Sequence, residues 1–369
     1  MSYRNKVIAA ALLSFAALAP MSFASAADLP VKAKAKPVPD VPFFFVIDNR
    51  VTYSFEPRGT DPGAFSVKPG GGFNGVTAKS VFSFSHFDVW AYGTNFFIAN
   101  YIKSDHNDPA GPCTNVGQIN LVNTANANCA GAVEFFGKAI STFGWNELFN
   151  TKAFTMGPLH NISFQIASEY ETENSFLAPG KRAWMGGLQF AFDLPYKGFF
   201  NISPLAYKEI NHNSFNQCGV FGPGGVPGVN CLIDGNTNFK TTWAVEVLYY
   251  MDLGFLPPDM QFFAISGRAG WYGPKGDQNS PLVGTGVGIN STATKTELNS
   301  EPIRLTFDAS KAFWGPKYAQ FVTTWVAYRY WQNKFGLDHN AAPFVCTVAG
   351  VSTNSCTESS VYTGITVKF

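Results

Sequence analysis

Between Asn161 and Glu171 the chain places Ile162, Phe164, Ile166 and Tyr170 at one parity. Asn161, Ser163, Gln165, Ala167, Glu169 and Glu171 take the other. A period of two belongs to a β-strand, whose successive side chains point to opposite faces. The pattern recurs in "FKTTWAVEVLYYM", with Phe239, Trp243, Val245, Val247, Tyr249 and Met251 on one face and Lys240, Thr242 and Glu246 on the other. A row with Glu at mid-strand must line water or a polar partner. A row of large apolar groups must be kept from water.

Twelve such segments can be drawn: 43–56, 76–89, 93–104, 132–142, 159–172, 182–194, 199–210, 239–252, 260–271, 299–307, 318–332 and 357–369. With the first starting at the periplasmic side, the connections at 57–75, 105–131, 173–181, 211–238, 272–298 and 333–355 all fall outside. The inner ones, among them "AYG", "PYKG" and "GFLPPDM", are mostly much shorter; 143–158 is the exception. Long loops outside and short turns inside are the habit of an outer-membrane barrel. The expected fold is all-β, a transmembrane antiparallel β-barrel of twelve strands, and an even count returns both termini to one side. A secreted β-sandwich or lectin would also alternate, but fits the number and length of the segments less well.

Composition agrees. Charged residues are 14% of the chain against roughly 25% in ordinary soluble domains, while aromatic residues are 16%. With 26 basic against 25 acidic side chains, nothing calls for nucleic acid as a partner. Residues 1–26 read as a secretory signal peptide, with Arg4 and Lys6 before an apolar run and small residues ahead of the cleavage point. The competing reading, a retained membrane helix, suffers from the shortness of that run. Residues 27–42 mix Pro and Lys and read as a periplasmic tether, leaving 43–369 for the barrel. The expected location is the Gram-negative outer membrane.

Parity also turns Gln189, Asp193, Arg268, Arg304, Arg329 and Lys368 toward the interior with Glu169 and Glu246. Opposed charges in one bore can form a constriction that orients a polar solute, or an ion-pair network that braces a small barrel. Trp243, Trp331, Tyr249, Tyr328 and Tyr330 lie near strand ends, as interface aromatics do. The cysteines fall two to a loop: Cys113 with Cys129, Cys218 with Cys231, and Cys346 with Cys356. Six cysteines allow fifteen connectivities; loop-local disulfides need the least long-range ordering, and export permits them. None of the spacings is that of a zinc site, and His106, His212 and His339 in the same loops read as surface residues.

No P-loop, dinucleotide fingerprint, HExxH or G-x-S-x-G is present. His86 with Ser85, and His160 with Ser163, are available by composition only, so the expectation is a protein that is not an enzyme and has no cofactor or metal.

"DVWAYGTNFFIANYIKSD", from Asp88 to Asp105, resembles the Trp–small–Tyr–Gly–Asp–Asn–Phe–Phe segment of the nucleoside-specific, Tsx-like outer-membrane channel superfamily through Trp90, Tyr92, Gly93, Asn95, Phe96 and Phe97. "AYRYWQ", Ala327 to Gln332, and the terminal "YTGITVKF" extend the likeness. Thr94 stands where that pattern has Asp, and the Cys-bearing loops depart from it. The resemblance implies a monomeric channel favouring nucleosides, a general porin being the alternative transport reading and a plugged structural barrel or surface adhesin the other. For a nucleoside, Asn95, Asn100, Glu169, Glu246, Arg268 and Arg329 are the lumen contacts expected. Phe369, ending an alternating strand, is expected to be read by the barrel assembly machinery, with outer-membrane lipid as the surrounding partner.

Overall fold

The structure is a computed structural model, and it describes residues 42–108, 110, 130–175, 179–212, 217–218, 227, 232–276, 293–341 and 345–369. The leader and tether expected at 1–42 lie almost wholly outside them. Twelve long strands are present among the described residues: β1 (Phe44–Gly59), β2 (Thr77–Trp90), β3 (Gly93–Ser104), β4 (Val133–Gly144), β5 (Leu159–Glu173), β6 (Gly180–Leu194), β7 (Gly198–His212), β8 (Thr242–Asp252), β9 (Phe263–Tyr272), β10 (Glu297–Asp308), β11 (Val322–Gln332) and β12 (Glu358–Lys368). Each pairs antiparallel with the next, and β12 pairs back onto β1 with Thr52 opposite Thr366 and Ser54 opposite Gly364. Closure satisfies the backbone groups that a sheet edge would leave open.

The usual distribution of side chains is inverted. Tyr53, Phe82, Tyr101, Phe135, Phe164, Ile166, Trp184, Trp243, Ile303, Leu305, Val326, Val361 and Ile365 are exposed around the outer wall. Inside, Glu56, Lys79, Glu134, Glu169, Lys181, Glu209, Glu297, Glu301 and Glu358 are buried. In water such an arrangement would expose apolar surface on every strand. In a bilayer the outer wall meets lipid and the ionised groups meet one another. On β5 the two faces alternate as the sequence predicts: Ser163, Gln165 and Glu169 are buried, while Phe164, Ile166 and Tyr170 are exposed.

Three features depart from simple alternation. The ladder between β10 and β11 shifts register between Ser300 and Ile303, and that between β9 and β10 between Ser266 and Arg268. This bulge brings Glu301 and Arg304 to the same inner face although their numbers differ in parity. β8 begins at Thr242, three residues later than expected. Phe239 therefore lies buried beside Lys275, 4.8 Å from ring centre to Nζ, and not against lipid. Trp331, expected at the membrane interface, faces inward opposite Asn299, and its indole N–H donates to Glu297 Oε1 at 2.8 Å.

The inner connections include the short helix α1 (Ala309–Trp314), capped by Asp308, which accepts from Lys311 N–H at 2.9 Å. At the other end, the first long connection forms a ribbon pairing Ser66–Val67 with Phe73–Asn74. The last is closed by a Cys346–Cys356 disulfide. Cys218 is disulfide-bonded, while Cys113, Cys129 and Cys231 lie outside the described residues.

Candidate functional site: the lumen

Facing positions on neighbouring strands stack charged groups along the bore. Lys138 on β4 contacts Glu169 Oε1 at 2.9 Å and Glu246 Oε1 at 2.5 Å, and Lys181 contacts Glu169 Oε2 at 3.0 Å. Tyr272 donates to Glu246 at 2.8 Å. Glu209 is held by Lys275 and by the Tyr207 hydroxyl. These groups are almost fully dry: the Lys138 and Glu169 side chains are 15% and 6% exposed.

Toward the long loops, Glu358 forms an ion pair with Arg329 at 2.6 Å and accepts from Lys334 at 2.5 Å, and Lys79 lies 2.7 Å from Asp61 and 3.2 Å from Glu134. The segment Asn333–Gly336 turns inward here. Lys334 is buried and also donates to Thr60 O at 2.5 Å, and the Phe335 ring lies 5.8 Å from Lys181 Nζ on β6. Farther along that connection, Lys295 Nζ contacts Asp338 at 3.2 Å. Burial acts to raise the Asp338 pKa, but the Asn340 N–H and the Lys295 ammonium outweigh it and hold the carboxyl below its ordinary value.

Toward the short turns the interior opens. Arg268 is exposed, and its Nη1 donates to Asn299 Oδ1 at 3.3 Å. Leu248, opposite it on β8, is 45% exposed on the same inner face. Phe199 and Tyr250 stack with ring centres 6.2 Å apart. Arg304 forks onto Glu301 at 2.7 and 3.1 Å while its guanidinium lies 3.8 Å from the Trp325 ring centre. Near the inner rim, Asp48 accepts Arg50 at 2.6 Å and Lys368 at 2.8 Å.

Of the residues expected in the lumen, Asn100, Glu169, Gln189, Glu246, Arg268, Arg304 and Arg329 face inward. Gln189 donates to Gln165 Oε1 at 3.0 Å. Asn100 stands opposite Ser83 and Phe136, and its Oδ1 is buried without a partner among the described residues. Asn95 does not line the bore. It pairs with Asp88 and Ser141 on the side of exposed Phe97 and Tyr101, donating to Asp88 Oδ1 at 2.9 Å and accepting from Ser141 at 2.7 Å. The register of β3 is continuous, so Asn95 and Asn100, at opposite parity, cannot share a face. That signal was available in the sequence. So was Lys138, whose parity in "VEFFGKAISTFG" matches inward Glu134. Lys181, Glu301, Lys334 and Glu358 were missed as well, the first and last at strand ends, Glu301 at the bulge and Lys334 in a loop.

His86 bonds Asn49 at 2.7 Å and Asp88 at 3.1 Å on the outer face, and His160 contacts Asp193 at 3.2 Å at the inner rim. Neither ring has a serine hydroxyl as partner among the described residues. Phe369 extends outward, 67% exposed, with its N–H donating to Asn49 O at 3.0 Å.

No family model and no curated protein matches the chain. Solved structures similar to it include an outer membrane channel from Pseudomonas putida F1, at 8% identity and a TM-score of 0.40, covering 91% of this chain and 100% of that one. LpxR from Salmonella typhimurium is similar at 8% identity and a TM-score of 0.37, covering 87% and 100%. The translocator domain of the autotransporter NalP from Neisseria meningitidis is similar at 10% identity and a TM-score of 0.35, covering 87% and 88%.

Proposed function

We propose that the protein is a channel of the Gram-negative outer membrane for passive diffusion of small polar solutes. The observation that carries this reading is the exposed Arg268 on the inner wall, next to the Phe199–Tyr250 stack and below the buried Lys138–Glu246 contact. A wetted vestibule thus leads to a charged constriction, the arrangement by which a pore selects polar solutes. Nucleosides are the candidate solute on the Tsx-like resemblance. Aromatic faces suit a base, and Asn100, Gln189 and Arg268 offer hydrogen bonds to sugar hydroxyls. Thr94, in place of the family's Asp, weakens that preference, because its hydroxyl is taken by Thr142 at 2.7 Å. On the same reading the barrel is a monomer in lipid, and outward-facing Phe369 is the contact for the assembly machinery.

The Lys138–Glu246 bridge also favours a second reading, a barrel plugged by its own side chains. Planar-bilayer recording with a panel of nucleosides, sugars and amino acids separates the two. Steady conductance reduced by nucleosides supports the specific channel. Conductance indifferent to them leaves a general porin, and no conductance leaves a structural barrel.

A further inference from the structure

On the lipid side of the wall, at the end with the long connections, the first and last connections enclose a cavity of about 250 Å³. Arg58, Lys68, Asn74, Asn354, Thr357 and Ser359 contribute to its lining, and no carboxylate does. Arg58 and Lys68 are exposed, and neither has a carboxylate within ion-pair distance among the described residues. The nearby acids are turned away: Glu358 is held in the lumen by Arg329 and Lys334, and Asp61 by Lys79. Two uncompensated cations thus flank neutral hydrogen-bonding groups.

The cavity is built from braced parts. Gly75 packs so closely on the last connection that a Cβ there would lie 2.5 Å from the Asn354 carbonyl carbon. Gly63 N–H donates to Ser355 Oγ at 3.2 Å, next to the Cys346–Cys356 disulfide. Lys68 is presented by a turn in which its N–H donates to Gly72 O and its carbonyl accepts from Gly71, both at 3.0 Å. Gly70, Gly71 and Gly72 hold φ of +90°, +98° and +79°, which only glycine adopts readily.

Depth points to the ligand. Ser359 shares the outward face of β12 with Val361 and Ile365, and its hydroxyl meets that of Tyr328 at 3.0 Å. About ten residues separate it from Phe369, roughly 33 Å of strand. With the usual tilt that is roughly 25 Å along the membrane normal, the height of the apolar band. The cavity therefore opens at the headgroup level of the outer leaflet, where phosphorylated sugars of glycolipid are concentrated. A guanidinium beside an ammonium suits a phosphoryl group, the first by its fork and the second as a point charge.

We propose that this cavity binds a phosphoryl group, carried by an outer-leaflet glycolipid or free as phosphate. The site lies outside the bore and stands whether or not the barrel conducts. The test uses the full processed chain in nanodiscs containing a phosphorylated outer-leaflet glycolipid, the same glycolipid stripped of phosphate, or phospholipid alone with inorganic phosphate added. Binding is read by native mass spectrometry and by protection of Lys68 from an amine-reactive label. At least ten-fold preference for the phosphorylated glycolipid, lost in R58Q/K68Q and kept in R58K/K68R, supports the lipid source. Protection of Lys68 by inorganic phosphate alone, lost in R58Q and kept in R58K, supports the free anion. Equal binding of the two glycolipids with no protection by phosphate overturns the proposal, as does undiminished binding by R58Q/K68Q. Heat-dependent gel mobility establishes that each variant is folded.

Discussion

Lys138 Nζ lies 2.5 Å from Glu246 Oε1 although three strands, β5, β6 and β7, stand between theirs in the wall. The contact is a strut across the bore. It lets one ammonium contact Glu246 and Glu169 together, with Lys181 supplying the second positive charge at Glu169.

Removing that ammonium leaves two buried carboxylates short of a partner. Lys138→Met should destabilise the barrel by about 3–5 kcal/mol, whereas apolar replacement of Lys138 and Glu246 together should cost far less. Reversible urea unfolding in lipid measures both. Equal losses in the single and double variants would show that the strut bears no load.

Glu246 also offers the constriction a negative charge. Glu246→Gln keeps an oxygen that can accept from Tyr272 but removes the charge. Reversal potentials under a salt gradient should move toward anion selectivity. An unmoved potential places Glu246 off the conducting path.

The two faces of the wall are separable by thiol chemistry. Arg268→Cys should react quickly with a charged, water-soluble thiol reagent. Asn95→Cys should resist the reagent, and a fluorophore placed there should be quenched by lipid-borne quenchers. The reverse pattern would invert the sidedness of the barrel.

Arg304 both forks onto Glu301 and covers Trp325. Arg304→Met should lower stability by about 1.5–3 kcal/mol through the lost charged hydrogen bonds. Arg304→Lys should recover only part, because an ammonium neither forks nor stacks as a guanidinium does. Guanidine or urea midpoints for the two variants rank them, and full recovery by lysine would reduce the contact to charge alone.

The disulfide braces a connection and leaves the wall alone. Replacing Cys346 and Cys356 by Ser should relax the last outer connection, a loss of roughly 2–4 kcal/mol in the loop-closure view. Limited proteolysis should cut within 337–355 sooner, with the barrel's gel mobility unchanged. Cleavage at the wild-type rate would mean that Thr353, Ser355 and Gly63 hold the loop without the covalent link.

Much of this was legible before folding. Ile162, Phe164 and Ile166 against Ser163, Gln165 and Glu169 announce a wall with one apolar and one polar face, because strand parity is a local property of the backbone. All twelve strands appear within a few residues of where that alternation places them. Asn95 follows the same rule: at opposite parity to Asn100 on a strand of unbroken register, it turns to the outer face.

What the sequence by itself determined was the closed sheet, its two faces and the inward turn of Glu169, Glu246, Arg268, Arg304 and Arg329. Only the tertiary structure decided which charges meet. Lys138 reaches Glu246 from a distant strand, Glu301 reaches Arg304 through a bulge, and Lys334 reaches Glu358 from a folded-in loop. Parity fixes a side chain's direction from its own neighbours. Partners across a bore depend on strand stagger and loop path, which closure sets for the whole barrel at once.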